Sequence, residues 1–186
     1  MSATWKAPAE MIERMESVIE KYHMPRMTNV SVALALTDAK PFSKNRLNLG
    51  TVKKFTDFHK IWQKEPADFC ITLPMVVWQD VLQDQQQEAL LDIHLTRIEP
   101  VYEPEVAIEN GKKKVIKDEF GRVKFTDTIK EDKDGNPKWQ ILPLDLLVTA
   151  RNVRRFGLWF DDLIELKDAV DSAEELKDAV DSAEPA

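Results

Sequence analysis

The sequence predicts an α+β fold, and three observations carry that expectation. Apolar residues recur at helical spacing in three separated segments, near residues 8–22, 85–97 and 143–157. Short runs of β character lie between the first two segments, at Val30–Leu36 and Phe69–Leu73. A charged, turn-rich stretch separates the last two, so helices and strands are grouped rather than regularly alternated.

Each element follows from its own residues. Met11, Ile12, Met15, Val18, Ile19 and Tyr22 share one helical face, and Pro8 suits a first-turn position, giving a helix from Pro8 to Tyr22. Val30, Val32, Leu34 and Leu36 alternate with small or polar residues and read as a half-buried strand. Lys40 to Asn45 is a turn, and Leu47, Leu49 and Val52 continue as a second strand. Phe69–Leu73, entered after Lys64-Glu65-Pro66, is a third. Asp84 is placed to cap the next helix, with Gln87 completing a capping box, and that helix runs to Arg97 and stops before Pro100. Residues 101–139 carry Asn110-Gly111 and Asp134-Gly135 turn signals and short β pieces at Val115-Ile116 and Val123–Phe125, which predicts a hairpin excursion. The last core helix begins near Pro143, carries Leu146, Leu147, Ala150 and Val153 inward, and ends at Phe156-Gly157, where glycine accepts the left-handed cap.

The chain has 186 residues, enough to bury a core without disulfides or a structural metal. Its one cysteine, Cys70, sits in the run Phe69-Cys70-Ile71 and is expected to be a small buried hydrophobe. The opening residues lack a basic then apolar signal pattern, and no stretch reaches the length of a membrane span, so a cytoplasmic location with no membrane contact is the expectation. The net charge of -7 is gathered at the end: ten acids face Lys167 and Lys177 from Asp161 onward. That distribution gives little support to a surface that mimics DNA, and the balance disfavours a basic nucleic-acid binder. Lys112-Lys113-Lys114 with Lys117, and Arg151, Arg154 and Arg155, remain local positive clusters, read first as solvated faces. Residues 165–174 recur identically as 175–184, so the expected organisation is a domain over 1–164, with 101–139 inserted, and an acidic tandem-repeat helix over 165–186.

The helix around residue 90 is where a metal-binding His pair at i and i+4 would be sought. Its residues Gln86-Gln87-Glu88-Ala89-Leu90-Leu91-Asp92-Ile93-His94-Leu95-Thr96-Arg97 resemble the helix of a phage-encoded metallopeptidase family, Gln-x-Glu-Ala-Leu-x-Asp-His-Glu-Leu-x-His. The resemblance extends to the first helix, the Val30 strand, the segment Asp68–Trp78, Asp134–Trp139 and the ending Val153–Trp159. It implies a zincin-like arrangement of helices on a small mixed sheet.

The departures from that pattern bear on function. Ile93 stands where the family's first zinc-binding His would be, His94 where the general-base Glu would be, and Arg97 where the second His would be. A downstream His-Asp-x-Glu-Glu-Phe segment, aligned by counting back from Trp159, falls on Leu144-Asp145-Leu146-Leu147-Val148-Thr149. Ile and Leu offer no donor atom and Arg97 brings a fixed positive charge, so the resemblance implies no cofactor and no catalytic residue here. Arg97 is expected to fill the old cavity as an ion pair with Asp92, Glu99 or Asp145.

The leading reading is a catalytically inactive phage protein that binds a host protein or defence complex, with Asp92, Asp145, Arg151, Arg154 and Arg155 as candidate contacts. A hydrolase rebuilt around His94, supported by Asp145 or Glu88, is the enzyme alternative. Nucleic-acid contact through the three arginines, or mimicry by the tail, is the third. His23 and His59 have no metal spacing with each other, and Trp78, Phe156 and Trp159 are expected in the core.

Overall fold

The structure, a computed structural model, describes residues 3–43, 46–56, 66–109, 112–144, 146–159, 163–164, 167–168 and 171. The fold is α+β, and the chain divides into two compact units, Met1–Thr96 with Asp145–Ala186, and Arg97–Leu144.

The first unit is built on a four-stranded mixed sheet. Strand β1 (Thr4–Lys6) precedes helix α1 (Ala9–Tyr22), which starts directly after Pro8, whose carbonyl accepts from the N–H groups of Met11 and Ile12. Met11, Met15 and Val18 are its buried face, at the spacing that puts them on one side. Strand β2 (Val32–Thr37) begins two residues later than expected, because Val30 is held in a turn by Met27. The expected turn at residues 40–45 holds a strand, β3 (Phe42–Ser43), and the second expected strand is two short pieces, β4 (Arg46–Leu47) and β5 (Thr51–Lys54). β3 and β4 pair with each other, and Gly50 breaks the run. Its φ is +83°, and a Cβ there would lie 2.3 Å from the Thr72 carbonyl oxygen, so only glycine fits.

Strand β6 (Phe69–Pro74) completes the sheet in the order β1-β2-β6-β5, parallel to β2 and antiparallel to β5. The register sets Val32, Leu34 and Leu36 beside Phe69, Ile71 and Leu73, one apolar face. Cys70 corrects the expectation: it alternates to the other face and is only half-buried, and this burial pushes its thiol pKa up. After β6 a π-helical turn, Val77–Val81, absent from the sequence reading, leads to helix α2 (Asp84–Arg97).

The capping of α2 also differs from expectation. Gln86 reaches back to the Gln83 N–H at 2.9 Å, the carboxylate of Asp84 pairs with Arg14 at 3.0 Å, and Gln87 donates to the Trp78 carbonyl at 2.7 Å. The back-bond thus comes one residue earlier than the predicted box, and Gln87 closes the preceding π-turn instead. Residues Ala89 to Thr96 are all buried, so α2 is enclosed on every side over that stretch.

Helix α3 (Leu146–Phe156) starts three residues after Pro143, and Gly157 follows at φ +73° with its N–H on the Val153 carbonyl, the expected left-handed end. Among its described side chains Asn152 is the buried one; Ala150 is exposed and Val153 half-buried, which corrects the predicted face at those two positions, and Leu146 and Leu147 lie outside the described side chains. Trp78, Trp159 and Leu163 are buried, and Phe156 half-buried. Of the repeat, only residues 167–168 and 171 are described; Lys167 pairs with Asp171. The other repeat residues and His59 lie outside the described residues.

The second unit is a branched β excursion. Strands β7 (Ile98–Pro100), β8 (Tyr102–Pro104) and β9 (Val106–Glu109) run outward, and β10 (Lys112–Val115), β11 (Phe125–Ile129) and β12 (Trp139–Ile141) return. They pair antiparallel as β9 with β10, β8 with β11 and β7 with β12. Two side turns branch off: Asp118 accepts from the N–H groups of Phe120 and Arg122, and Asp132 from those of Asp134 and Asn136. The Asp134-Gly135 signal marks the second; the first was not expected.

Candidate functional site

Because α2 is enclosed, its polar residues have to find partners inside the protein. Asp92 is fully buried, at 0% exposure, and its carboxylate is the hub of a network drawn from three helical segments. His23, the residue that ends α1, places Nε2 2.9 Å from Oδ1. Asn152 of α3 donates from Nδ2 to Oδ2 at 2.8 Å and to the Ala89 carbonyl at 2.9 Å. Arg155, one turn further along α3, donates to Oδ1 and lies over the Tyr22 ring at 5.3 Å. Trp159 Nε1 donates to the Asn152 Oδ1 at 2.6 Å, and Gln86 donates to the Trp159 carbonyl at 2.9 Å, which carries the network back to α2.

The proton positions follow from the donor inventory. Arg26 Nη2 stands 2.7 Å from His23 Nδ1, and a guanidinium has only hydrogens to offer, so Nδ1 accepts. Nε2 then carries the imidazole proton and donates it to Asp92, which leaves His23 neutral. Burial pushes the His23 pKa down, ahead of the opposing pull of Asp92. For Asp92, burial raises the carboxyl pKa, but hydrogen bonds from His23 and Asn152 and the charge of Arg155 outweigh it and hold the group below the usual range. The buried charge is therefore an anion with one cation and two neutral donors.

One sequence expectation is overturned here. Asp92 was a candidate partner contact, yet its carboxylate is inside and committed to His23, Asn152 and Arg155. Arg97 was expected to pair with Asp92, Glu99 or Asp145; Asp92 is taken up by the network, Asp145 lies outside the described residues, and Arg97 Nε donates to the Leu142 carbonyl at 2.9 Å. Arg155, an exposed residue, turns its guanidinium inward to Asp92, while Arg151 is half-buried and Arg154 exposed.

Ile93 is buried, at 1% exposure. His94 is buried as well, with Nε2 2.7 Å from the Leu49 carbonyl oxygen. A carbonyl only accepts, so that nitrogen holds the proton and has no lone pair for a metal or a substrate. Leu144 is exposed, and Asp145 lies outside the described residues. Among the described residues no three His, Cys, Asp or Glu side chains are grouped to hold a metal ion. The donor set at 93, 94 and 97, an aliphatic, a carbonyl-bound imidazole and a guanidinium, does not fit zinc.

The network's other members were not legible as a site. His23 was considered only for metal spacing, and Arg26 and Asn152 were not singled out; the one local signal is a lone Asn at an inward helical position.

An α+β scaffold with a helix buried from Ala89 to Thr96, tied at its middle to a second helix and an aromatic segment, defines the class. The chain belongs to the putative phage metallopeptidase family, whose model matches residues 3–174. No curated protein and no solved structure matches the chain. Among the described residues no helix is long and apolar enough to cross a membrane.

Proposed function

We propose that this chain is a catalytically silent member of its family that works in the host cytoplasm by binding a host protein or defence complex. The observation that supports this reading is the trio at 93, 94 and 97: Ile93 is a buried aliphatic, His94 is 2% exposed with its Nε2–H on the Leu49 carbonyl at 2.7 Å, and Arg97 brings a guanidinium. The surrounding scaffold is nevertheless held in place by the Asp92 network, as a protein that presents a fixed surface requires. The rebuilt hydrolase has no such support, since the His94 imidazole is buried, at 2% exposure, out of a substrate's reach.

Metal analysis of the purified protein, with a peptide-hydrolysis assay alongside, tests the reading. Substoichiometric zinc and no cleavage are expected; one zinc per chain would overturn it. The combined variant Ile93→His, His94→Glu, Arg97→His and Leu144→His is expected to gain measurable zinc affinity. Affinity capture from host lysate then identifies the partner.

A further inference from the structure

The β excursion carries an apolar face that none of the foregoing uses. In the outgoing strands Tyr102, Pro104, Val106 and Ile108 alternate onto one side. Glu105 keeps the run extended between β8 and β9, bonding to Lys124 through its N–H and to Ile116 through its carbonyl. The register sets Ile129 opposite Tyr102, Phe125 opposite Pro104 and Val115 opposite Val106, and residues directly opposite share a face. The result is an aliphatic and aromatic strip, with a register shift between Phe125 and Ile129, on which Phe125 is 58% exposed, Val106 47% and Ile108 75%. Lys113, opposite Ile108, is a charge that the register puts on it. The reverse face of β9 and β10 is ionic, with Lys114 bonded to Glu109 at 2.9 Å.

We infer that this face is the contact between two copies of the chain. The area argues for a second copy. With large aliphatic and aromatic side chains each presenting up to about 150–250 Å², the exposed parts of this strip come to roughly 450 Å² per copy. Two such faces with their rims bury about 1,000 Å², the floor for a specific interface and well short of a permanent one. The contact is therefore a reversible, concentration-dependent dimer. A strip of Val, Ile and Phe can pack on its own copy when two ribbons stack face to face at about 10 Å, and a two-fold axis closes the pair. The charged reverse faces stay in water. This dimer does not depend on whether the scaffold is catalytically silent.

Sedimentation velocity of the full chain over a wide concentration range tests the assignment. A monomer–dimer equilibrium is expected, and Ile108→Lys with Phe125→Lys should weaken it at least tenfold. Both positions are exposed, so the thermal transition should stay in place. Lys112→Glu with Lys114→Glu, on the reverse face, should leave the dissociation constant unchanged. If the lysine pair misfolds, Ile108→Ser alone should still weaken the dimer. A monomer at every concentration overturns the assignment, as does a dimer indifferent to the apolar-face variants or equally sensitive to the reverse-face pair. A monomer whose capture of a host protein is lost in Ile108→Lys would assign the strip to that protein and likewise overturn the dimer.

Discussion

Replacing Arg155 by Ala asks whether the buried charge of Asp92 is held by the cation or by the neutral donors around it. The variant leaves the carboxylate at 0% exposure with His23 Nε2 at 2.9 Å and Asn152 Nδ2 at 2.8 Å. The lower bound on the cost is one charge-assisted hydrogen bond, about 1.5 kcal/mol. The upper bound is a broken buried ion pair, about 3–5 kcal/mol. The guanidinium side chain is 28% exposed, so water screens part of the attraction and pulls the expectation below that ceiling. Loss of the contact over Tyr22 adds about 0.5–1 kcal/mol. The expected total is about 2–4 kcal/mol at neutral pH, read by urea unfolding, with the melting temperature lower by about 5–15 °C. The decisive comparison is the same substitution in an Asp92→Asn background, where no charge awaits the guanidinium and the cost should fall to about 1 kcal/mol. Additivity of the two substitutions within about 0.5 kcal/mol would refute the reasoning, because it would mean that Arg155 does not hold an anion.

Acid should destabilise the fold through His23. Its folded pKa lies below the ordinary 6.5, so between the two values the unfolded chain binds a proton that the folded one refuses. The stability it contributes is complete above pH 6.5 and is lost as the pH falls toward the folded pKa; His23→Gln should flatten that part of the profile, and equal pH slopes in both proteins would count against it. Trp159→Phe keeps the packing but strands the buried Asn152 Oδ1, at an expected cost of about 1–3 kcal/mol, whereas Trp159→Ala should cost about 3–5 kcal/mol. A near-neutral thermal shift for either would place Trp159 on the surface. Gly50→Ala should destabilise by at least about 1–2 kcal/mol, since it adds a left-handed penalty to a clash with the Thr72 carbonyl; an unchanged unfolding midpoint would contradict the assigned turn.

Local chemistry was readable in the sequence wherever one segment decides the outcome. The apolar spacing of α1, the run Phe69–Leu73 and the glycine after Phe156 each specify their element without help from the rest of the chain. Where a distant group decides, reading failed. The capping box at Asp84 gave way because Arg14, seventy positions away, takes its carboxylate. Ala150 and Val153 looked like the core face of α3, but Asn152 has the stronger claim to the interior, since Asp92 needs its amide there. The Gly50 break depends on the close approach of Thr72 across the sheet, which no pattern within residues 47–52 encodes.

The same distinction explains why the chemical identity of the α2 residues was legible but their roles were not. The sequence alone shows that Ile93 and Arg97 bring no metal donor atoms. It does not show that Asp92 faces the opposite fate from His94, one locked by donors from two other helical segments and the other closed against a loop carbonyl. Stability alone gives little reason to keep such a network, because a buried ion pair is often replaceable by apolar side chains at no loss. Its geometric effect is harder to replace. Six hydrogen bonds through His23, Asn152, Arg155, Trp159 and Gln86 fix the end of α1, the middle of α2 and the length of α3 in one arrangement. An apolar substitute would pack those helices without fixing their register, whereas a binding scaffold needs its outer residues to stay where they are before the partner arrives.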